Sequence, residues 1–102
     1  MPGYVFSPET KEDIRDIRRH LVTQGGKRLA GYVLREFTAA FRLLASQPGA
    51  GHGRQDLTAL PVKFWPVFSY LIVYDPAVTP LGIVRVLDGR RDVEAILRRK
   101  IR

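Results

Sequence analysis

The sequence predicts an α+β fold. It has an N-terminal strand, then an antiparallel αα-hairpin packed on a three- to four-stranded, mainly antiparallel sheet, and a short C-terminal helix. Three observations carry this expectation. Apolar residues recur at helical spacing on both sides of Gly25-Gly26. Three β-rich runs follow one another between Val62 and Leu87 with short links. A last apolar series, Val93, Ile96, Leu97 and Ile101, follows Asp92 at helical spacing. The order β-α-α-β-β-β-α makes the last three strands a meander, one face of which the hairpin must cover. At 102 residues, positions 1–102 form one domain near the small end of what sustains its own core.

Tyr4-Val5-Phe6 is short and β-prone. Ser7 suits a helix N-cap, and Pro8 suits the first turn, where its missing N–H costs nothing. Glu9, Glu12 and Asp13 place negative charge at the positive end of the helix dipole. Ile14, Ile17 and Leu21 fall on one face, and Gly25-Gly26 ends the helix. A second helix is expected from about Lys27 to Ser46, with Val33, Leu34, Phe37, Phe41 and Leu44 as its stripe. Residues 47–54 hold one proline and three glycines and read as a loop. The run Val62 to Trp65 is expected to stop at Pro66. Phe68 to Tyr74 alternates as a strand, with Tyr70 and Tyr74 on its core face, and Ile83 to Leu87 is the next. Asp88-Gly89 signals a turn, and Asp92 suits the cap of the last helix.

Composition narrows function. There is no cysteine, so disulfides and thiolate metal sites are excluded, and a reducing cytosol is the expected compartment. His20 and His52 alone do not make a multi-histidine metal site, and no cofactor or metal is expected. The first residues lack the build of a secretory signal, and no apolar run approaches the ~20 residues of a membrane span. The net charge is +7. Residues 1–24 and 62–83 are each neutral, whereas 25–61 carry +3 and 84–102 carry +4. Such an excess favours an acidic partner, either nucleic acid or an acidic protein segment.

An ordered set of residues also carries a family resemblance. It comprises Tyr4 to Pro8, Asp13-Ile14 and Asp16-Ile17 on the first helix, and Phe37 and Phe41 on the second. Pro48-Gly49, Gly53-Arg54 and Asp56-Leu57 follow, then Tyr70-Leu-Ile-Val-Tyr74 and Arg85-Val-Leu-Asp-Gly-Arg-Arg-Asp92. From Tyr4 to Leu97 the chain resembles the ParE/RelE superfamily of toxins from bacterial type II toxin–antitoxin (plasmid stabilisation) systems, ParE-like more than RelE-like. The resemblance implies a small cytoplasmic toxin in a hetero-oligomer with a cognate antitoxin, a ParD-like or related small DNA-binding protein. The antitoxin would wrap the hairpin and sheet through Ile14, Ile17, Leu21, Phe37 and Phe41. ParE-like members act on DNA gyrase, and RelE-like members cut messenger RNA on the ribosome. A third alternative is a degenerate member that binds antitoxin without toxicity. Members often carry histidine where this chain has Asp88.

The residues weigh these alternatives. Metal-independent RNA cleavage needs groups that move protons and cations that stabilise a crowded phosphate. Arg54, Lys63 and Arg85 are the candidate catalytic cations. Arg85 alternatively pairs with Asp56, Asp75 or Asp88. Arg85, Arg90, Arg91 and Trp65 are the candidate target-binding residues, although Trp65 equally suits a core position. The C-terminal tail lacks the tyrosine or histidine that RelE-like nucleases commonly place there. A ParE-like inhibitor of DNA gyrase that acts by binding is therefore expected, with a ribosome-dependent endoribonuclease as the alternative.

Overall fold

The computed structural model describes residues 3–100. Strand β1 (Tyr4–Phe6) leads into helix α1 (Pro8–Ser46) and a single 3-10 turn over Pro48–Ala50. Strands β2 (Lys63–Val67), β3 (Tyr70–Asp75) and β4 (Leu81–Asp88) and helix α2 (Val93–Lys100) follow. The strands and the last helix come in the expected order, with one long helical segment where two helices were expected. Ile101 lies outside the described residues.

The two expected helices run as one helical segment that loses helical geometry at Gly25 and Gly26, where Gly26 takes φ 78°. Only glycine adopts that conformation without strain. A straight helix of 39 residues would be ~58 Å long at 1.5 Å per residue. The longest dimension of the protein is 36 Å, so the arms 8–24 and 27–46 are not collinear. The sheet order is β1-β4-β3-β2, with β3 antiparallel to both neighbours and β1 parallel to β4. The sheet is thus four-stranded and mixed. The helical segment carries the chain from β1 back across the sheet, so β1 enters beside β4 in the same direction.

The boundaries of β2 and β3 around their turn differ from expectation, and β4 begins at Leu81, two residues before the expected Ile83. β2 continues through Pro66 because it is an edge strand, where a missing N–H on the outer side breaks no ladder. Phe68 and Ser69 form the β2–β3 turn between the paired Val67 and Tyr70, and Phe68 has φ 55°.

Each face of the sheet has its own core. On one side Val33, Phe37, Phe41 and Leu44 of α1 pack on Tyr70, Ile72, Tyr74, Leu81 and Ile83. On the other, Val93, Ile96 and Leu97 of α2 cover Phe64, Val73 and Leu87. The alternation in β3 therefore separates the two cores, as its spacing predicts. Asp92 accepts from Ala95 N at 3.2 Å, the N-terminal bond expected of it.

Tyr74 is fully buried and pins the loop after α1. Its hydroxyl accepts from Gly51 N at 2.8 Å and donates to the Pro48 carbonyl at 2.7 Å. A Cβ on Gly51 would lie 2.5 Å from that hydroxyl and 2.9 Å from the Phe64 carbonyl. Gly51→Ala should therefore displace Tyr74 and cost about 1–3 kcal/mol, the usual range for overpacking. Urea unfolding measures this, and an unchanged midpoint would remove the pinning role.

Candidate functional site

The first turns of α1 are stitched to β4 through Ser7, Thr10 and Asp13, which recur every three residues on one helix face. Ser7 caps the helix by accepting from Thr10 N at 3.0 Å, and its hydroxyl donates to the Val84 carbonyl at 2.8 Å. The Ile83 carbonyl accepts from Ser7 N and from the buried Thr10 hydroxyl at 2.9 Å. The β3–β4 register shifts here: Val73 pairs with Arg85 and Tyr74 with Ile83, which leaves Val84 as the extra residue of a bulge. A bulge re-aims the side chains beside it.

Arg85 follows the bulge and bonds Asp13 through two contacts, Nε to Oδ2 and Nη2 to Oδ1, each 2.7 Å. Asp13 Oδ2 also accepts from Val86 N at 3.0 Å. The two side chains are only 9% and 11% exposed. Hydrogen bonding to Asp13 raises the Arg85 pKa, which burial opposes. The partner is thus Asp13 and none of Asp56, Asp75 or Asp88. Arg85 is 7% exposed, and its Nη1 is buried without a hydrogen-bond partner while Nε and Nη2 are engaged by Asp13.

Along the same helix face, Asp13, Asp16, Ile17 and His20 form one wall of a groove of about 290 Å³. Tyr70, Val86, Leu87, Asp88 and Arg91 form the other. His20 and Tyr70 are shared with a second groove of about 320 Å³ that runs past Leu29, Tyr32, Phe68 and Arg90. The two make one furrow between α1 and the β3–β4 end of the sheet, with apolar floor residues and charged rims. Burial, and secondarily Asp88, raise the Tyr70 pKa, as befits a core residue at the furrow's base. Asp88 holds Arg90 through two side-chain bonds at 3.0 and 2.8 Å and accepts from Arg90 N at 2.9 Å. That bonding to Arg90 lowers the Asp88 pKa. The residue that departs from the frequent histidine thus organises the turn before α2.

The remaining candidates divide between surface and core. Arg54 is exposed and held by Asp56 at 2.9 and 2.8 Å. It shares a depression with Arg91, where Asp56, Asp92 and Glu94 offset their charge. Lys63 stands on the edge strand opposite Tyr74 and does not line that depression. Trp65 is half-buried and packs against the α1-side core. Leu21, Phe37 and Phe41 are 8%, 1% and 2% exposed. In this chain they are core residues, packed against its own sheet. Ile14 and Ile17 are only partly buried, and Ile17 lines the furrow. The exposed apolar groups are others, Val5, Tyr32, Leu43, Phe68 and Val78. Phe68 is legible in the sequence as a strand residue, and only the turn exposes it beside Tyr32, with ring centroids 5.8 Å apart.

No helix among the described residues is long and apolar enough to cross a membrane. Comparison with solved structures finds a chain of the chromosomal ParDE TA system from P. aeruginosa with a TM-score of 0.69. It is 16% identical and the match covers 83% of this chain and 92% of that one, a likeness of fold. No curated protein sequence matches the chain. The model of the ParE toxin of type II toxin–antitoxin systems, parDE, matches residues 4–93. With its strand, broken helix and bulged sheet all inside that match, the chain belongs to the ParE toxin family of type II toxin–antitoxin systems.

Proposed function

We propose that the chain arrests growth by binding DNA gyrase in the cytoplasm, and that a cognate antitoxin, ParD-like or related, neutralises it by occupying the furrow between α1 and the sheet. One observation favours binding over phosphodiester cleavage. Two of the candidate catalytic cations are held by a carboxylate, Arg85 by Asp13 and Arg54 by Asp56, and the target-binding candidate Arg90 is held by Asp88. The buried Arg85 is a weak electrophilic partner for a transition-state phosphate, because its pairing with Asp13 must first be broken, whereas the exposed pairs of Arg54 and Arg90 restrain them only weakly. The furrow supports the antitoxin reading: an apolar floor at Ile17 and Tyr70 flanked by Asp16, Asp88, Arg90 and Arg91 suits an amphipathic segment.

The test is DNA supercoiling by purified gyrase in the presence of the chain. Supercoiling should stop, and addition of the antitoxin should restore it. Unaltered supercoiling at saturating chain, together with cleaved message in a translation extract, would replace this reading with a ribosome-dependent endoribonuclease.

A further inference from the structure

The outward face of the second arm of α1 carries a charge pattern that the furrow does not use. Arg28, Arg35 and Arg42 recur every seven residues, and all three are exposed. Seven residues is close to two helical turns, so the arginines stand nearly in line, ~10.5 Å apart and ~21 Å end to end. Val33, Phe37 and Leu44 are buried on the opposite face, which directs the three guanidinium groups away from the core.

Exposed helix faces ordinarily interleave charges of both signs, as the first arm does where Arg19 meets Asp16 at 3.4 Å. The positions three and four residues after each arginine are Gly31, Tyr32, Thr38, Ala39, Ala45 and Ser46, and those before Arg28 are Gln24 and Gly25. None is acidic, and no ion pair among the described residues involves Arg28, Arg35 or Arg42. The Arg35 side chain lies back over Gly31, where a Cβ would come within 3.2 Å of Nη1. Exposed Glu36 lies beside Arg35 about a quarter-turn round the helix, so the face carries a single line of cations with no carboxylate along the line itself and small residues between them.

We infer that this face binds the phosphodiester backbone of a nucleic-acid duplex through Arg28, Arg35 and Arg42. The charge is complementary to that backbone. A strand presents one phosphate per ~3.4 Å of axis, so a ~21 Å line of arginines spans about six base pairs. An acidic protein is the poorer occupant. Protein interfaces are built round a desolvated apolar or aromatic centre, whereas the centre of this line is Gly31 and Ala39, with Tyr32 to one side against Phe68. The inference is independent of which cellular target the furrow or the turn before α2 engages.

Fluorescence anisotropy of a short labelled duplex, titrated with the full chain over a salt series, tests it. The triple variant Arg28→Gln, Arg35→Gln, Arg42→Gln should bind at least ~10-fold more weakly at low salt. Its plot of log affinity against log salt should be shallower by about 2.7, or 0.9 for each phosphate that the arginines no longer neutralise. A charge-matched variant of the first arm, Arg15→Gln, Arg18→Gln, Arg19→Gln, should keep the steeper slope. Equal losses in both variants would reduce the effect to net charge and overturn the inference. So would competition by polyglutamate as effective as that by unlabelled duplex, because it would assign the face to an acidic protein. Single strands bound more tightly than duplex would overturn the duplex assignment. All six positions are exposed, and a thermal melt of each variant verifies that it is folded.

Discussion

Asp13→Ala should destabilise the fold by about 3–5 kcal/mol, the cost of leaving a buried charge without its partner. The loss has three components in this structure. Arg85 keeps its charge under a side-chain exposure of 9%, both short bonds to it disappear, and Val86 N loses its acceptor. Against a total stability of about 5–15 kcal/mol for a domain of this size, the loss removes a large share of the margin. Replacing both partners, Asp13→Leu with Arg85→Met, should recover most of the loss, because an apolar pair of similar volume needs no charge compensation. Denaturant unfolding of the single and double variants distinguishes this from a surface ion pair. A single-variant cost below about 1 kcal/mol would mean that the pair behaves as an exposed one.

Phe37→Ala should cost about 3–5 kcal/mol as well, by a different mechanism. The ring is 1% exposed and meets Tyr70 edge-on, with centroids 5.4 Å apart and planes at 89°. Its removal leaves a void between α1 and β3 that the backbone on either side cannot close. Phe68→Ala provides the contrast. That ring is 57% exposed at a turn residue with φ 55°, and its truncation should move stability by no more than about 0.5 kcal/mol. Urea midpoints for the two variants read the difference directly. A near-neutral Phe37→Ala would make that residue a surface anchor and remove it from the core.

These two sites show what the sequence discloses about such a fold. Periodicity reports which residues are apolar on one side of an element, so the helical stripes and the alternation from Tyr70 to Tyr74 are legible. Periodicity does not report what covers them. Phe37 and Phe41 read equally well as an antitoxin surface until the sheet is seen beneath them. The pairing of β1 with β4 joins Tyr4 to Leu81 across the whole domain, and no local pattern encodes that register. Arg85 and Asp13 are likewise 72 positions apart. The bulge at Val84 breaks the alternation that would otherwise say where Arg85 points. Local devices are better preserved: Ser7 and Asp92 cap their helices with short-range bonds, which depend on neighbours only. Asp88 looks in the sequence like the loss of a histidine. In the structure it is the acceptor that holds Arg90 at the mouth of the furrow.

The toxin is proposed to work by occupying its target, with Arg54, Arg85 and Arg90 each paired to a carboxylate of this chain and its furrow left for a regulator. Occupation and catalysis differ in stoichiometry. Titrating a fixed, known concentration of active gyrase with the chain and measuring residual supercoiling therefore tests the proposal most directly. A binding toxin predicts a linear decline that ends near equivalence and does not deepen with longer preincubation. Complete loss of activity at a small fraction of an equivalent, growing with time, would show turnover and contradict the account.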